Sequence, residues 1–356
     1  MATISACIIA KNEQEVIARC LECAGKVADE IIVVDTGSTD QTHSIAREYT
    51  DRVFDFPWID DFSAARNESF SHANMEYCLW LDADDVILEQ DIVGLLRLKA
   101  ALPPEVDVVM MRYNVGFDGQ GRPNFSYYRE RILRNSPAYR WQGAIHEAIA
   151  PVGNVIYSEL AITHRKLRAA EPERNLRIFE GMLRRGERLA PRERFYYARE
   201  LYEHRRYDDA IPILREVIDD GTAWLENRLE ACRVLANCYR AKGEERAALL
   251  ALLHSLSLDA PRAEICCDIG SWFLEQRQYQ TAIFWYELAA ARPRNDRSGG
   301  FVQPDCYGYI PYMQLCVCYD RLGQWEQARR YNELAGQLKP EDEAYRYNLR
   351  YFQSNP

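Results

Sequence analysis

Apolar positions in the first half of the chain fall into short runs, each followed by a stretch with helical apolar spacing. ISACIIA (4–10) reads as a buried strand, followed by a helix near 13–24 with Val16, Ile17 and Leu21 on one face. EIIVVD (30–35) is a second strand, and SIAREYT opens a second helix. RVFDF (52–56) is a third strand, FSAARNESFSHAN (62–74) a helix, and YCLWLDAD (77–84) a fourth strand ending in acids, ahead of a helix over VILEQDIVGLLRL. Wholly apolar strands alternating with helices predict a mainly parallel, Rossmann-like α/β sheet covered on both faces. After about residue 105 the pattern is richer in strands, through VDVVMMRYNV, SYYRERILR and the run up to Ile162.

From about residue 171 the spacing turns helical and an internal repeat appears. CYDRLGQWEQARRYNELAGQLKP (318–340) is echoed by CYRAKGEERAALLALLHSL (238–256) and, more weakly, by RRYDDAI and RQYQTAI. Ala210, Ala248, Ala282 and Ala328 recur at intervals of 38, 34 and 46 residues. Those intervals bracket the tetratricopeptide period of about 34, with RPRNDRSGGFVQPDCYG inserted before the last copy. A small residue at that place lets two antiparallel helices approach closely. The expected organisation is an α/β domain over 1–165, a connecting helix over 166–192, and an all-α domain of about four repeats over 193–356. Trp224, Trp272, Trp285 and Trp325 are expected in the repeat core.

Charge sharpens the picture. The 356 residues carry a net −10, all of it in residues 1–165, with 15 basic and 25 acidic side chains against 29 of each in the remainder. That sign excludes a polyanion-binding surface, so nucleic acid is not an expected partner. A phosphorylated ligand handled by the acidic half needs a divalent cation. The eleven cysteines include one CxxC, Cys20 and Cys23, without the second pair a zinc site wants; they read as core thiols in a reducing compartment. No apolar run approaches the roughly 20 residues of a membrane span. MATISACIIAKNE lacks a basic n-region and a cleavage pattern, so the expectation is a cytoplasmic chain without membrane insertion.

Three clusters carry candidate chemistry. Asp35-Thr36-Gly37-Ser38-Thr39-Asp40 lies at the end of the second strand, where ligands bind in open α/β sheets. Asp35 there can accept a hydrogen bond from a nucleobase, while Asp40 reads as a helix cap. Asp82-Ala83-Asp84-Asp85 follows the buried CLWL. Three carboxylates in four residues repel one another unless a cation lies between them, and alternate acids suit Mg²⁺ or Mn²⁺ with a diphosphate. The competing reading is a solvated acidic loop. Arg66-Asn67 sits in the third helix, where the Arg66 fork could meet a phosphate or base, or form a surface ion pair. Lys11-Asn12-Glu13 replaces the Gly-rich basic loop of nucleotidyl transferases, and no P-loop or GxGxxG follows a strand.

A strand ending in KNE, then VVDTGSTD, an ARN helix and LDADD, resembles in order and spacing the N-terminal domain of family 2 glycosyltransferases, over about residues 3–165. The resemblance implies a GT-A fold and a metal-dependent, inverting transferase using a nucleotide-sugar, with UDP-sugar favoured. It places Asp35 on the base, Arg66 with Asn67 on the nucleotide, and Asp82, Ala83, Asp84 and Asp85 in the metal–diphosphate motif. Many relatives read DDGSTD where this chain has Asp35-Thr36, which loosens the inference to the base. With C-terminal tetratricopeptide repeats, the chain resembles the subgroup holding the bacteriocin peptide S-glycosyltransferases. There a stretch like Arg140-Trp141-Gln142-Gly143-Ala144-Ile145-His146-Glu147 follows the acids, and then a lone His, here His164. Glu147 is the implied general base with His146 as runner-up, and His164 with Asp84 the implied metal ligands. Alternatives stay open: an ion pair of Glu147 with Arg129, Arg131 or Arg134, a hydrogen-bonded His164, and Trp141 as core or pocket wall. The acceptor is expected to be a peptide, protein or saccharide, with the repeats either binding it or forming a homodimer. The rival reading is a repeat scaffold with an inactive first domain.

Overall fold

Strand-end register decides what this fold can bring together. The computed structural model describes residues 1–167 and 171–354; residues 168–170, in the expected connecting segment, lie outside the described residues. Two units separate at Met1–Arg188 and Leu189–Pro356.

In the first unit, β1 (Ile4–Ala10), β2 (Glu30–Asp35), β3 (Val53–Asp55), β4 (Tyr77–Asp82), β5 (Asp85–Val86), β6 (Val108–Phe117), β7 (Pro123–Arg134) and β8 (Val155–His164) form one sheet ordered β3-β2-β1-β4-β7-β6-β8-β5. β1 pairs in parallel with β2 and β4, as do β2 with β3 and β6 with β8; β7 and β5 pair antiparallel. The parallel order reverses between β1 and β4, the place where α/β sheets open a crevice at their carboxyl ends.

Period-two alternation sends Ile4, Ala6, Ile8 and Ala10 to one core, with Ile17 and Leu21 of α1 (Ile17–Gly25), Ala46 of α2 (Thr42–Tyr49), and Ile92 and Leu95 of α4 (Glu89–Ala101). Cys7, Ile32, Cys78 and Trp80 face the other core, closed by Phe70 of α3 (Phe62–Ser71) and by Tyr139, Trp141 and Ile149 from an irregular segment. The expected helix over VILEQ begins only at Glu89. Asp85 and β-branched Val86 instead pair with His164 and Thr163 of β8, and Leu88 is still extended (φ −70°, ψ 153°). α5 (Arg174–Arg184) also belongs to the first unit.

The second unit stacks four helical hairpins: α6 (Pro191–Glu203) with α7 (Tyr207–Asp219), α8 (Leu225–Ala241) with α9 (Glu245–His254), α10 (Ala263–Glu275) with α11 (Tyr279–Ala291), and α12 (Tyr309–Arg321) with α13 (Trp325–Leu338). α14 (Glu343–Ser354) follows, its Phe352 packed with Cys316 and Ala328. These are tetratricopeptide-type repeats. Ala210, Ala248, Ala282 and Ala328 are fully buried on the second helix of each hairpin, as their spacing predicts. Trp285 packs in the core, and Trp272 donates to the Glu245 carbonyl at 3.1 Å. Trp224 and Trp325 correct the core expectation, being 43% and 57% exposed. They stand one residue ahead of α8 and at the first position of α13, where no further turn covers them. All eleven cysteines are buried thiols. No helix among the described residues is long and apolar enough to cross a membrane.

The four hairpin turns share one geometry. Arg206, Glu244, Gln278 and Gln324 each donate their N–H to the carbonyl five residues back, at 2.8–2.9 Å, the long bond of a Schellman turn. The residue before each is left-handed: Arg205 (φ 58°), Gly243 (76°), Arg277 (59°) and Gly323 (71°). A Cβ there costs about 1–2 kcal/mol, against about 0.5–1 kcal/mol of extra unfolded-state entropy that glycine brings. Arg277→Gly is therefore expected to stabilise the second unit by about 0.5–1 kcal/mol, read as a rise in Tm of about 2 °C. A lowered Tm would refute this account of the turn.

Candidate functional site

Parallel register puts Ala10 opposite Asp35 and Ile9 opposite Asp82, so the turns after β1, β2 and β4 share one edge. Asp35 is buried, and its Oδ1 accepts from the N–H groups of Gly37 (2.8 Å) and Ser38 (2.7 Å). Gly37, at φ 94°, permits that tight return of the chain. Asn12 ties the first turn to the second, accepting from Thr39 N at 2.8 Å. Among the described residues Asp35 Oδ2 has no hydrogen-bond partner, although it is buried. An unpartnered buried carboxylate oxygen is costly, and it is an acceptor in want of a donor. Asp40 is not the cap of the next helix, which is Gln41; it precedes the cap and accepts from Thr42 N and Oγ1 at 2.9 and 2.5 Å.

Arg66, 7% exposed on α3, donates from Nε to Glu147 Oε1 (2.7 Å) and from Nη2 to Asp82 Oδ1 (2.6 Å). Its guanidinium sits against both Trp80 and Trp141, at 4.9 and 4.8 Å from the ring centroids, in the angle of that edge-to-face pair. Asn67 holds the Trp141 backbone from both sides, donating to its carbonyl (3.0 Å) and accepting from its N–H (2.9 Å). Phe62 N donates to the Ala144 carbonyl at 2.8 Å, and the Ser63 hydroxyl donates to that of Gly143. The start of α3 thus fixes the segment carrying His146 (φ 53°) and Glu147. Of the arginines the sequence offers Glu147 for an ion pair, none takes that place; its partner is Arg66.

The acids after β4 divide between resident cations and a ligand-type cluster. Burial would raise the Asp82 carboxyl, but Arg66 and Arg131 outweigh it and hold Asp82 well below the usual carboxylate range. Asp85 is fully buried; Oδ2 accepts from Arg131 Nη1 (3.1 Å) and from Asp82 N (3.0 Å), and Oδ1 from Tyr113 OH (2.9 Å). Asp84, with its side chain 13% exposed, lies 3.3 Å from His164 Nδ1, as does Asp85. Hydrogen bonds to Asp84 and Asp85 push the His164 imidazole up to about 10. Asp84, Asp85 and His164 each offer one ligand atom, all within 4.8 Å of one another. Two hard oxygens and an imidazole fit a divalent cation such as Mn²⁺ or Mg²⁺. Asp85, and not Asp82, is the acid whose oxygen joins the ligand atoms of Asp84 and His164 in this cluster. Ala83 is a buried spacer.

Sequence reasoning missed Tyr113 altogether and offered Arg131 only as a partner of Glu147, whereas it pairs with Asp85. Arg131 is fully buried, 3.7 Å from the Trp80 ring centroid and 4.1 Å from that of Tyr113. The only sequence signal was two charged and aromatic side chains on strands, a pattern shared with any exposed sheet edge.

Residues 5–152 match the family model described as Glycosyl transferase family 2. The chain is 35% identical over 149 residues to a TPR repeat-containing protein of Synechococcus elongatus, covering 42% of this chain and 36% of that one. It is 28% identical over 241 residues, 64% and 56% of the two chains, to the SPbeta prophage-derived glycosyltransferase SunS of Bacillus subtilis. It is 30% identical over 162 residues, 43% and 58%, to the lipopolysaccharide core biosynthesis glycosyltransferase LpsC of Rhizobium meliloti. The chain therefore spans between about a third and three-fifths of the length of these relatives.

Removing Arg66 leaves Glu147, its side chain 12% exposed, without its cation, and leaves the half-buried Asp82 to Arg131 alone. Arg66→Met is expected to cost about 3–5 kcal/mol in urea unfolding. Adding Glu147→Gln should recover part of that loss, because the orphaned charge is its source. An unchanged midpoint in Arg66→Met would dismiss the counter-ion role.

Proposed function

We propose that this chain, whose residues 5–152 match the Glycosyl transferase family 2 model, is a metal-dependent inverting glycosyltransferase that moves a sugar from a nucleotide-sugar, UDP-sugar favoured, to a peptide, protein or saccharide. The observation that carries the reading is the pairing of two unlike devices at one sheet edge. Asp35 offers a buried oxygen without a donor after β2, and Asp84, Asp85 and His164 gather cation-binding atoms after β4.

In this reading Asp35 Oδ2 accepts an N–H of the base, its geometry fixed by the bonds to Gly37 and Ser38. Arg131 and Tyr113 hold Asp85 oriented, ready to ligate. A divalent cation held by Asp84, Asp85 and His164 supplies charge neutralisation for a departing diphosphate. Glu147 removes the proton of the acceptor nucleophile as it attacks the anomeric carbon, in the single displacement that inverts it. Arg66 occupies Oε1 and sets the carboxylate's orientation, leaving Oε2 for the acceptor. His146 adjoins it as the other candidate base. Arg66 and Asn67 act on the donor through the chain, by positioning Asp82, Glu147 and Trp141, rather than as free arms toward a phosphate. SunS and LpsC carry glycosyltransferase in their names, which supports the reaction class.

Thermal shift with UDP-, GDP- and TDP-sugars, each with and without Mn²⁺, tests the reading. One nucleotide should raise Tm only with metal, and Asp84→Asn should abolish that rise while its own Tm stays within a few degrees of wild type. A flat response from folded protein would favour the scaffold reading. Once a donor and acceptor are in hand, Glu147→Gln should still bind donor but transfer about 10²–10⁴-fold more slowly. Unchanged transfer would move the base to another residue.

A further inference from the structure

The connections between hairpins lengthen abruptly at one place. Five residues join α7 to α8 and eight join α9 to α10, but seventeen, 292–308, join α11 to α12. Residues 299–303 have neither helix nor strand and run across the first helices of the three preceding hairpins. Phe301 sets its ring 5.6 Å from that of Phe195 and 5.4 Å from the Arg199 guanidinium, both on α6. Gly299 lies against Trp224, and a Cβ on Gly300 would fall 2.4 Å from Glu226 Oε2. Gln303 donates its N–H to buried Glu264 of α10 at 2.7 Å, and the Tyr307 hydroxyl donates to the same carboxylate at 3.1 Å. Beneath this crossing lies a cavity of about 230 Å³, lined by Glu230, Arg233, Arg262 and Arg292 among others.

These are the contacts of a peptide on a receptor. An aromatic enters a cleft between a ring and a guanidinium, one glycine takes a left-handed φ (73° at Gly299) and the next has no room for a Cβ beside Glu226, and a backbone N–H meets a buried carboxylate. The crossing has little regular backbone pairing of its own to hold it.

We propose that 298–303 is a resident occupant of a peptide-binding face on the second unit, and that an extended segment of another polypeptide, two small residues followed by an aromatic, displaces it. The partner's chemistry is read from the occupant: an aromatic for the Phe195–Arg199 cleft, small residues for the left-handed turn at Gly299 and the close approach of Gly300 to Glu226, and a free N–H for Glu264. Being tethered, the resident segment competes at a millimolar effective concentration, which masks the face in the native chain. The proposal concerns the repeats alone and holds whether or not the first unit transfers sugar.

The test uses the full chain and a fluorescein-labelled peptide with the sequence of residues 297–303, read by fluorescence anisotropy. Phe301→Ala is expected to bind the peptide at least about tenfold more tightly than the native chain does. A peptide with alanine for its phenylalanine should lose that binding, as should Phe195→Ala added to the variant. A folded Phe301→Ala that binds no better than the native chain overturns the proposal. So does a variant that dimerises in sedimentation without taking up peptide, since the face would then serve a second copy. Gly300→Ala reaches the same opened state by collision with Glu226 while leaving Phe195, Arg199 and Phe301 in place, and carries the same expectation. If neither variant folds, the crossing belongs to the repeat core and the proposal fails.

Discussion

A carboxylate withdrawn from water must be met by a cation or by N–H groups, and the carboxyl ends of β2 and β4, with the segment after β7, withdraw four. Asp35 is met by two backbone amides. Asp82 and Glu147 share the fork of Arg66, and Asp85 is met by Arg131 and Tyr113. This requirement shapes the surrounding fold. The guanidiniums need flat partners for their faces: Arg66 meets Trp80 and Trp141, which touch edge to face, and Arg131 meets Trp80 and Tyr113. Trp141 in turn needs its backbone held, and Asn67 holds it.

The compensation is uneven, and the unevenness points to chemistry. Asp82 is neutralised within the chain by Arg66. Among the described residues Asp35 keeps one oxygen without a donor, and Asp84, Asp85 and His164 crowd their ligand atoms around the contact of Asp85 with Arg131. Local charge balance thus separates the acids that hold the sheet edge together from those open to something added. The same balance explains why a segment with ten more acidic than basic residues can bury several of those acids.

Much of the fold was legible because burial leaves a period. ISACIIA and EIIVVD could hardly be anything but strands covered on both faces. The four alanines marked the helix pairs, since close approach leaves room for nothing larger. Legibility ended where structure came from single contacts. The irregular segment over 135–150 covers a sheet face with Tyr139, Trp141 and Ile149, and no periodicity announces that. RERILR reads as exposed by its charges, yet Arg131 is wholly buried because Asp85 waits for it. In the site, strand-end acids stood out by position, whereas the choice of Asp85 over Asp82 turned on which acid Arg66 reached. Arg205 and Arg277 concealed turns that Gly243 and Gly323 made plain.

The crossing at Phe301 also bears on how the protein is made. In a stack of repeats each unit touches only its neighbours, so helices emerging first can settle before later ones exist. Here Phe195 of α6 receives a ring encoded about a hundred residues downstream, some 5–20 s later at ordinary synthesis rates. Until then the apolar cleft on the first hairpin is open to solvent, and a nascent chain presents it to whatever accompanies translation. The repeats can stack in order of synthesis, but their surface closes only once the third hairpin is complete, which places the end of folding late and makes it a single event for three hairpins together.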